Sequence, residues 1–221
     1  MIVHCLFEQS GTFKNEFLKM GIQALDYDIL NDFKETDYVI DLYQEIENGY
    51  SRERESIFDK MKEDDLIFAF FPCTRFEAQI LLSFKGANQG FKNWSDKQKL
   101  EYDLKLQAEL NRNYNLITKL VLIALDRNLK LVIENPYTNQ SYLITHWALK
   151  PSLIIQNRRD YGDYYIKPTM FYFINREPSN NFIFEPRVVR PKKTVANTNS
   201  QVERSLISKE FANRFIREFI L

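Results

Sequence analysis

Short apolar runs alternate with longer helix-like segments along this chain, and that alternation restricts its fold more than any other feature. The clearest run, residues 66–71 (LIFAFF), is continuously apolar. Such a run is typical of a central strand that is covered on both faces. Strands that alternate with helices predict an α/β fold, in which a mostly parallel sheet carries helices on both faces. We expect one domain over residues 1–221.

The apolar patterns also give approximate bounds for the elements. Strands are expected at residues 2–7, 24–29, 38–43, 66–71, 129–133, 153–156 and 170–174. Helices are expected at residues 12–20, 51–62, 96–127 and 208–219. Ile57, Phe58 and Met61 have helical spacing within the second of these helices, and Ser208 is a suitable N-cap for the last.

Composition limits the classes of protein that fit. Hydrophobic residues make up 44% of the chain and aromatic residues 14%, which supports a buried core and excludes wholesale disorder. Lys and Arg together number 30, as do Asp and Glu, so no global basic field attracts nucleic acid. A DNA contact would need a local patch, although a solvated loop explains such residues equally well. The candidates are Arg158, Arg159, Arg187, Arg190, Lys192 and Lys193.

Cysteine and histidine are scarce. The two cysteines, Cys5 and Cys73, and the two histidines form neither a disulfide framework nor a zinc site, so we expect no metal. Cys5 lies inside an expected strand and is predicted to be a core residue. The first residues turn polar too soon for a signal peptide, and no apolar run is long enough to cross a bilayer. A reducing cytoplasm is the expected compartment, without membrane contact.

Polar and reactive side chains follow five of the expected strands. Open sheets of this kind bind ligands beyond the carboxyl ends of their strands. These ends carry Glu8 to Gly11, Asp28, Asp41, Pro72-Cys73 and Glu134-Asn135-Pro136. We therefore expect one binding site that is built from these residues.

The order of these strand-end motifs resembles that of the DNA cytosine-5 methyltransferases, which share the Rossmann-like class I fold that binds S-adenosylmethionine. Residues 7–12 (FEQSGT) resemble the family's Phe-x-Gly-x-Gly cofactor loop, with Gln9 in place of the first glycine. The resemblance implies that this loop contacts the cofactor through Phe7, Glu8, Ser10, Gly11 and Thr12.

The same resemblance assigns two acids to the cofactor. Asp28 matches the carboxylate that holds the ribose hydroxyls, with Asp26 and Asp32 as alternatives for this role. A carboxylate suits that role because its two oxygens accept hydrogen bonds from adjacent hydroxyl groups. Asp41 resembles the acid near the adenine amino group.

Phe71-Pro72-Cys73 resembles the family's catalytic motif most closely. There the cysteine adds to carbon 6 of a flipped cytosine, so that carbon 5 can take a methyl group, and this addition needs a thiolate. Glu134, within Glu-Asn-Pro, matches the glutamate that grips the ring nitrogen and the amino group of the base. Asn135 and Pro72 belong to the same two motifs, and Pro72 is also expected beside the cofactor.

The chain departs from the family's pattern near its end. Residues 160–162 and 167–173 resemble the strand that delivers an arginine to the active site, but that arginine is missing and Lys167 is the nearest cation. The helix that begins at Ser208 resembles the family's last helix, which implies that Ser208 lies beside the cofactor. Only residues 175–203 stand where the family has a target-recognition domain. Low selectivity, a protein partner that supplies recognition, or a substrate other than duplex DNA would each account for this.

Other interpretations remain open at this point. The lost glycine at Gln9 and the missing arginine also fit a degenerate relative that binds cofactor, nucleic acid or protein without methyl transfer. Asn135-Pro136-Tyr137 resembles a reduced form of the Asn-Pro-Pro-Tyr motif of amino-methyltransferases, although it follows the fifth strand rather than the fourth. A third alternative is transfer to RNA or to a free nucleotide. The loop with Gly86 and Gly90 is expected to close over a substrate.

Overall fold

A computed structural model describes residues 1–78, 80–84, 86–185 and 205–221. Its sheet has seven strands in the order β3-β2-β1-β4-β5-β7-β6. The strands are β1 Val3–Leu6, β2 Ala24–Asp28, β3 Tyr38–Val39, β4 Leu66–Ala69, β5 Lys130–Pro136, β6 Leu153–Ile155 and β7 Thr169–Ile174. The first five strands pair in parallel, and β7 runs antiparallel to both β5 and β6. The expected α/β architecture with a mostly parallel sheet is confirmed.

Helices cover both faces of this sheet. They are α1 Thr12–Lys19, α2 Leu42–Ser51, α3 Ile80–Phe84, α4 Asp96–Asp126, α5 Tyr142–His146 and α6 Lys209–Phe215, and a π-helical turn at Ile216–Ile220 continues α6. Successive side chains of β4 point to opposite faces. Leu66 and Phe68 pack in one core cluster with α1 and α6, whereas Ile67 and Ala69 pack in the other with α2 and α4.

The face under α1 and α6 is filled by aromatic rings. The ring of Phe13 lies 4.7 Å from that of Phe68, and Phe215 lies 4.3 Å from Phe171, each in a tilted or edge-on arrangement. All four side chains are fully buried. Burying a Phe side chain stabilises a fold by about 1.5–3 kcal/mol relative to leaving it exposed. These contacts therefore hold the two helices from opposite ends of the chain against one sheet.

The predicted helix over residues 51–62 is wrong. The helix lies one segment earlier, at Leu42–Ser51, and begins after Asp41, whose Oδ1 accepts hydrogen bonds from the backbone N–H groups of Tyr43 (2.9 Å) and Gln44 (3.3 Å). Helix formation at Asp41 ends the third strand early, so β3 is only Tyr38–Val39. Within the predicted span only a single 3-10 turn forms, at Ile57–Asp59.

The fifth strand is longer than predicted, and this changes the setting of its motif. Glu134, Asn135 and Pro136 were expected just after the strand, but they are its last three residues. The strand continues because β7 pairs with it beyond the point where β4 stops, with Glu134 opposite Phe171 and Asn135 opposite Met170. The Glu-Asn-Pro motif is therefore held by ladder hydrogen bonds rather than by a loop.

Candidate functional site

A cavity of about 600 Å³ opens at the carboxyl ends of the parallel strands. Its volume falls within the range of small-molecule sites, which is roughly 300–1,000 Å³. Ten of the residues that line it were singled out in the sequence or belong to the same loops: Phe7, Glu8, Gln9, Ser10, Asp28, Asp41, Pro72, Cys73, Glu134 and Lys167. Most of the strand-end residues therefore share one cavity, whereas Gly11, Asn135 and Pro136 do not line it.

The loop after β1 is anchored by Glu8. Its carboxylate accepts hydrogen bonds from the backbone N–H groups of Phe13 (2.6 Å) and Lys14 (3.3 Å), and so satisfies free donors at the start of α1. Burial raises the pKa of Glu8 to about 7, although these two hydrogen bonds oppose the shift. Glu8 thus shapes the cavity wall while its oxygens are engaged by the helix.

Gly11 and Thr12 serve the turn rather than the cavity wall. Neither lines the cavity. Gly11 has φ +62°, and a Cβ there would meet the Cβ of Glu35 at 2.9 Å, so the turn requires glycine. The Thr12 hydroxyl lies 3.0 Å from that of Ser10, which does line the cavity.

Of the three acids considered for the ribose, the structure places only Asp28 in the cavity wall. Its Oδ1 accepts a hydrogen bond from Leu30 N at 2.8 Å. Asp26 is 0% exposed within the sheet, and Asp32 is not among the lining residues. Burial raises the pKa of Asp28.

Asp41 combines two positions. It is the N-cap of α2 and also lines the cavity. Both capping hydrogen bonds use Oδ1, so Oδ2 keeps its capacity to accept a hydrogen bond. Asp28 and Asp41 thus place two carboxylates along one wall, which suits a ligand that carries hydroxyl or amino donors.

Cys73 lies in the turn that follows β4 and is half-buried in the cavity wall. Its Sγ donates a hydrogen bond to Oε1 of Glu77 at 3.2 Å. Burial raises the pKa of this thiol, and the Glu77 carboxylate raises it further, while the Lys167 ammonium opposes both. The resting thiol is therefore protonated at neutral pH and needs a proton acceptor before it can act as a nucleophile.

Glu134 faces the same cavity from β5 and is 8% exposed. Burial raises the pKa of its carboxyl group, and the nearby cations Lys167 and Arg158 oppose that shift. A carboxyl group whose pKa is raised stays protonated to higher pH, and in that form it can donate as well as accept a hydrogen bond.

Asn135 positions the site rather than lining it. The side chain is 1% exposed, and its Nδ2 donates to the backbone oxygens of Phe71 and Glu134, both at 3.1 Å. This ties the end of β5 to the end of β4 immediately before Pro72-Cys73. Asn135, expected in the catalytic motif, does not line the cavity, and its side chain fixes the spacing between the two motifs.

Two residues that the sequence did not single out belong to this site. Glu77 bonds the Cys73 thiol, and Arg112 of α4 lines the cavity, with its guanidinium 4.9 Å from the centre of the Tyr43 ring. The four-residue spacing from Cys73 to Glu77 could have suggested contact only if a helical turn had been expected after the strand. No signal marked Arg112, because the charged stretch of residues 96–112 is most simply interpreted as the solvated face of a helix.

Ser208 does not line the cavity, although it was expected beside the cofactor. It is the N-cap of α6, and its hydroxyl donates to the backbone oxygen of Gly162 (3.0 Å) and accepts from Phe211 N (3.1 Å). The cavity is instead lined by its neighbours Ser205, Leu206 and Ile207. The predicted contact of Ser208 with the cofactor is therefore replaced by a capping role.

Arg158 lacks the exposed position that a contact with DNA phosphate requires. It was a candidate for phosphate contact, but it is 1% exposed, forms a buried ion pair with Asp163, and lies 5.0 Å from the centre of the Phe211 ring. A buried, paired guanidinium cannot reach a DNA backbone. Arg159 is half-buried beside it. The other cations proposed for DNA contact, Arg187, Arg190, Lys192 and Lys193, lie outside the described residues.

Over the described ranges, no three or more His, Cys, Asp or Glu side chains are arranged to hold a metal ion. None of the helices in that part of the chain combines the length and the apolar character needed to cross a membrane. A scan against protein-family models matches none of them, and a search of curated proteins finds no match either.

Proposed function

We propose that this chain is an S-adenosylmethionine-dependent methyltransferase that acts on carbon 5 of cytosine in DNA. One observation carries the proposal: Cys73 and Glu134, from the ends of β4 and β5, line the same cavity as Asp28 and Asp41. A thiol and a buried carboxyl group thus adjoin a wall with two carboxylates. The strand-end motifs that resemble the DNA cytosine-5 methyltransferases supply the reaction.

The sheet supports a Rossmann-like class I methyltransferase fold. The order β3-β2-β1-β4-β5 is that of doubly wound dinucleotide-binding sheets, which bind ligands where the strand order reverses. That reversal lies between β1 and β4, and the loops after both strands line the cavity through Ser10 and Cys73. The antiparallel β7 between β5 and β6 is the main departure from the doubly wound order.

The donor set of the cavity fits the cofactor. We assign Asp28 to the ribose hydroxyls and Asp41 to the adenine amino group, because both line the wall and Oδ2 of Asp41 takes no part in the two capping hydrogen bonds. Pro72 and the loop of Phe7 and Ser10 border the same space. When bound there, S-adenosylmethionine supplies the methyl group.

The chain's own residues prepare the base. The Cys73 sulfur adds to carbon 6, while Glu134, whose pKa burial raises, donates in its protonated form to the ring nitrogen and so draws electrons into the ring. Lys167 lowers the pKa of both groups and is the cation that we propose in place of the missing arginine. The base must leave the duplex stack to reach this cavity. Two free thiols also fit a cytoplasmic location.

Replacement of the nucleophile tests the mechanism. Cys73→Ala should abolish methyl transfer to mixed DNA, followed with tritiated cofactor, and should leave cofactor binding by calorimetry unchanged. The comparison variant is Cys5→Ala, because Cys5 is fully buried and does not itself line the cavity, although its thiol contacts Glu8 of the cavity wall. That variant should keep transfer. If the Cys73→Ala protein methylates as fast as the parent, the covalent mechanism is wrong.

A second candidate function is cofactor binding without transfer. Gln9 replaces a family glycine at the cavity wall, and the family's arginine is missing, with Lys167 as the nearest cation in the sequence. Calorimetry with S-adenosylmethionine beside the transfer assay separates the two functions. Cofactor binding without transfer to duplex DNA, single-stranded DNA, RNA or cytidine nucleotides would favour the second candidate. Transfer only to RNA or nucleotides would support a methyltransferase but would contradict DNA as its substrate.

A further inference from the structure

Glu77 lies four residues after Cys73, and the resemblance gives it no role. The backbone N–H groups of Phe76 and Glu77 both donate to the oxygen of Cys73, at 2.8 and 3.2 Å. This turn brings the Glu77 carboxylate over the thiol, and Oε1 accepts the hydrogen bond from Sγ at 3.2 Å. The reacting sulfur therefore already shares its proton with a carboxylate.

The other charged groups that act on the thiol are less suited to take its proton. Lys167 is a cation and has no acceptor capacity in its charged form. Glu134 is buried, with a raised pKa, and in the proposed reaction it donates to the ring nitrogen. Glu77 is half-buried, and its carboxylate forms no ion pair within the described part of the chain. It is thus the acceptor in direct contact with the sulfur.

We infer that Glu77 is the catalytic base that removes the Cys73 proton as the sulfur adds to the pyrimidine, an inference that rests on the proposed function. The S–H bond breaks and its proton passes to Oε1 of Glu77. The sulfur electron pair forms the bond to carbon 6, and the electrons of the carbon 5–carbon 6 double bond shift into the ring, whose nitrogen takes a proton from Glu134.

The return steps restore each group. Carbon 5 takes the methyl group and then loses its own proton to solvent water. The electrons of that C–H bond rebuild the ring double bond, and the sulfur leaves carbon 6 with its bonding pair. Glu77 then returns the proton to the thiolate, while Glu134 recovers its proton from the ring nitrogen. The net products are methylated base, demethylated cofactor and one proton.

This role predicts two effects of opposite sign for Glu77→Gln. The amide removes a negative charge beside the thiol, so the thiolate forms more readily and Cys73 should react several-fold faster with iodoacetamide at mildly alkaline pH. The amide cannot accept the proton, so methyl transfer should fall by about 10²-fold, the lower end of the usual contribution of a general base. A purely structural role would not move the two rates in opposite directions.

The experiment measures both rates on the full chain across pH, with mass spectrometry to locate the alkylated cysteine. Glu101→Gln, an exposed carboxylate on α4, is the matched control and should change neither rate. Glu77→Asp keeps the charge but shortens the reach, so its transfer rate should lie between those of the parent and the amide variant. If thermal melting shows that Glu77→Gln does not fold, the transfer rate of Glu77→Asp is the test instead.

The possible failures can be told apart. A parent that transfers no methyl group contradicts the proposed function, and the alkylation rates still decide whether Glu77 controls the thiol. An active parent with an equally active Glu77→Gln variant overturns the inference alone. Alkylation that is unchanged or slower in a folded Glu77→Gln protein overturns it as well.

Discussion

Burial raises the pKa of both the Cys73 thiol and the Glu134 carboxyl group, which favours the neutral form of each. In the proposed reaction the two groups need the neutral form for opposite reasons. The thiol must lose its proton during addition, which keeps a reactive thiolate from persisting in the resting protein. The carboxyl group must keep its proton in order to donate to the base. The Lys167 ammonium lowers the pKa of both groups, so its charge partly offsets the effect of burial on each.

Glu134→Gln should reduce kcat/KM for methyl transfer by about 10²-fold or more, because the amide cannot exchange a proton with the ring. The direction of the pH effect on the transfer rate follows from the raised pKa of Glu134. The protonated acid is lost as pH rises through its raised pKa, so the parent rate should fall on the alkaline side, and the variant should lack that fall. Rates measured across pH check this, with the exposed Glu63→Gln as a control. The same alkaline fall in both proteins would contradict the assignment.

Asp28→Asn should weaken S-adenosylmethionine binding by about tenfold or more, since a hydrogen bond to a charged group contributes about 1.5–3 kcal/mol. Calorimetry with the cofactor measures this directly. Asp32→Asn is the matched control, because Asp32 does not line the cavity and should leave affinity unchanged. Equal losses of cofactor affinity in both variants would contradict the assignment of Asp28 to the ribose hydroxyls.

The role of a residue could be predicted from the sequence where its position follows from its own strand. It could not be predicted where the groups that contact the residue lie far away along the chain. Cys73, Glu134 and Asp28 line the cavity because each lies at or beside the carboxyl end of its strand, although the place of Glu134 within β5 also depends on the distant β7. The burial of Arg158 and the capping role of Ser208 were missed, because the Phe211 ring and the oxygen of Gly162 reach these residues only in the folded chain. A polar residue in a loop carries no mark of whether it will be solvated or paired.

Among the elements, the helix at Leu42–Ser51 shows how local patterns compete. Leu42, Ile46 and Gly49 are buried along one face, and Gly49 lies against Phe58, where a Cβ would come within 2.7 Å of that ring. The apolar residues at 57–61 also have helical spacing, but they pack against α2 instead of forming a second helix. Spacing identified apolar residues that face the core, but not which segment would be the helix.

The antiparallel β7 could not be derived from the sequence. Apolar runs predicted a strand near 170–174, but the direction of a strand and its place in a sheet depend on pairing with distant residues. In the folded chain β7 lies between β5 and β6, and its pairing extends β5 through Glu134. The reactive carboxyl group is therefore supported by a strand that follows it by more than thirty residues.

Ser208→Ala should lower the free energy of unfolding by about 1 kcal/mol, the usual cost of losing a helix N-cap, while cofactor affinity stays unchanged. The hydroxyl caps α6 and bonds Gly162, and neither contact reaches the cavity. Denaturant unfolding and calorimetry measure the two quantities on the same protein. Weaker cofactor binding without loss of stability would restore the contact inferred from sequence.

For the molecule as a whole, a buried acid couples stability to pH. Asp26 pairs in register with Cys5 on β1, is 0% exposed, and neither of its carboxylate oxygens has a hydrogen-bond partner in the described ranges. Burial, with the nearby Glu8 as the next cause, raises the pKa of Asp26 to about 8. The folded chain therefore binds a proton here over a pH range in which the unfolded chain has released it.

The sign of that coupling follows from linkage. An acid with a raised folded-state pKa stabilises the fold fully below its unfolded pKa of about 4, and that contribution is lost as pH rises through about 8. Asp26→Asn, which resembles the protonated acid, should therefore make the free energy of unfolding fall less steeply across this window. Urea unfolding at several pH values measures the slope. The exposed Asp64→Asn is the control, and a slope unchanged in Asp26→Asn would contradict the coupling.

The packing of α1 against α6 has a consequence for synthesis. Phe13 and Phe17 come from near one end of the chain and Phe211 and Phe215 from near the other, yet all four cover the same face of the sheet, and Asn213 bonds Glu16 at 2.9 Å. A ribosome-bound chain that stops before residue 205 would leave those sheet residues without their cover. We expect such nascent chains to be cut readily by protease and to become resistant only after α6 has emerged from the exit tunnel.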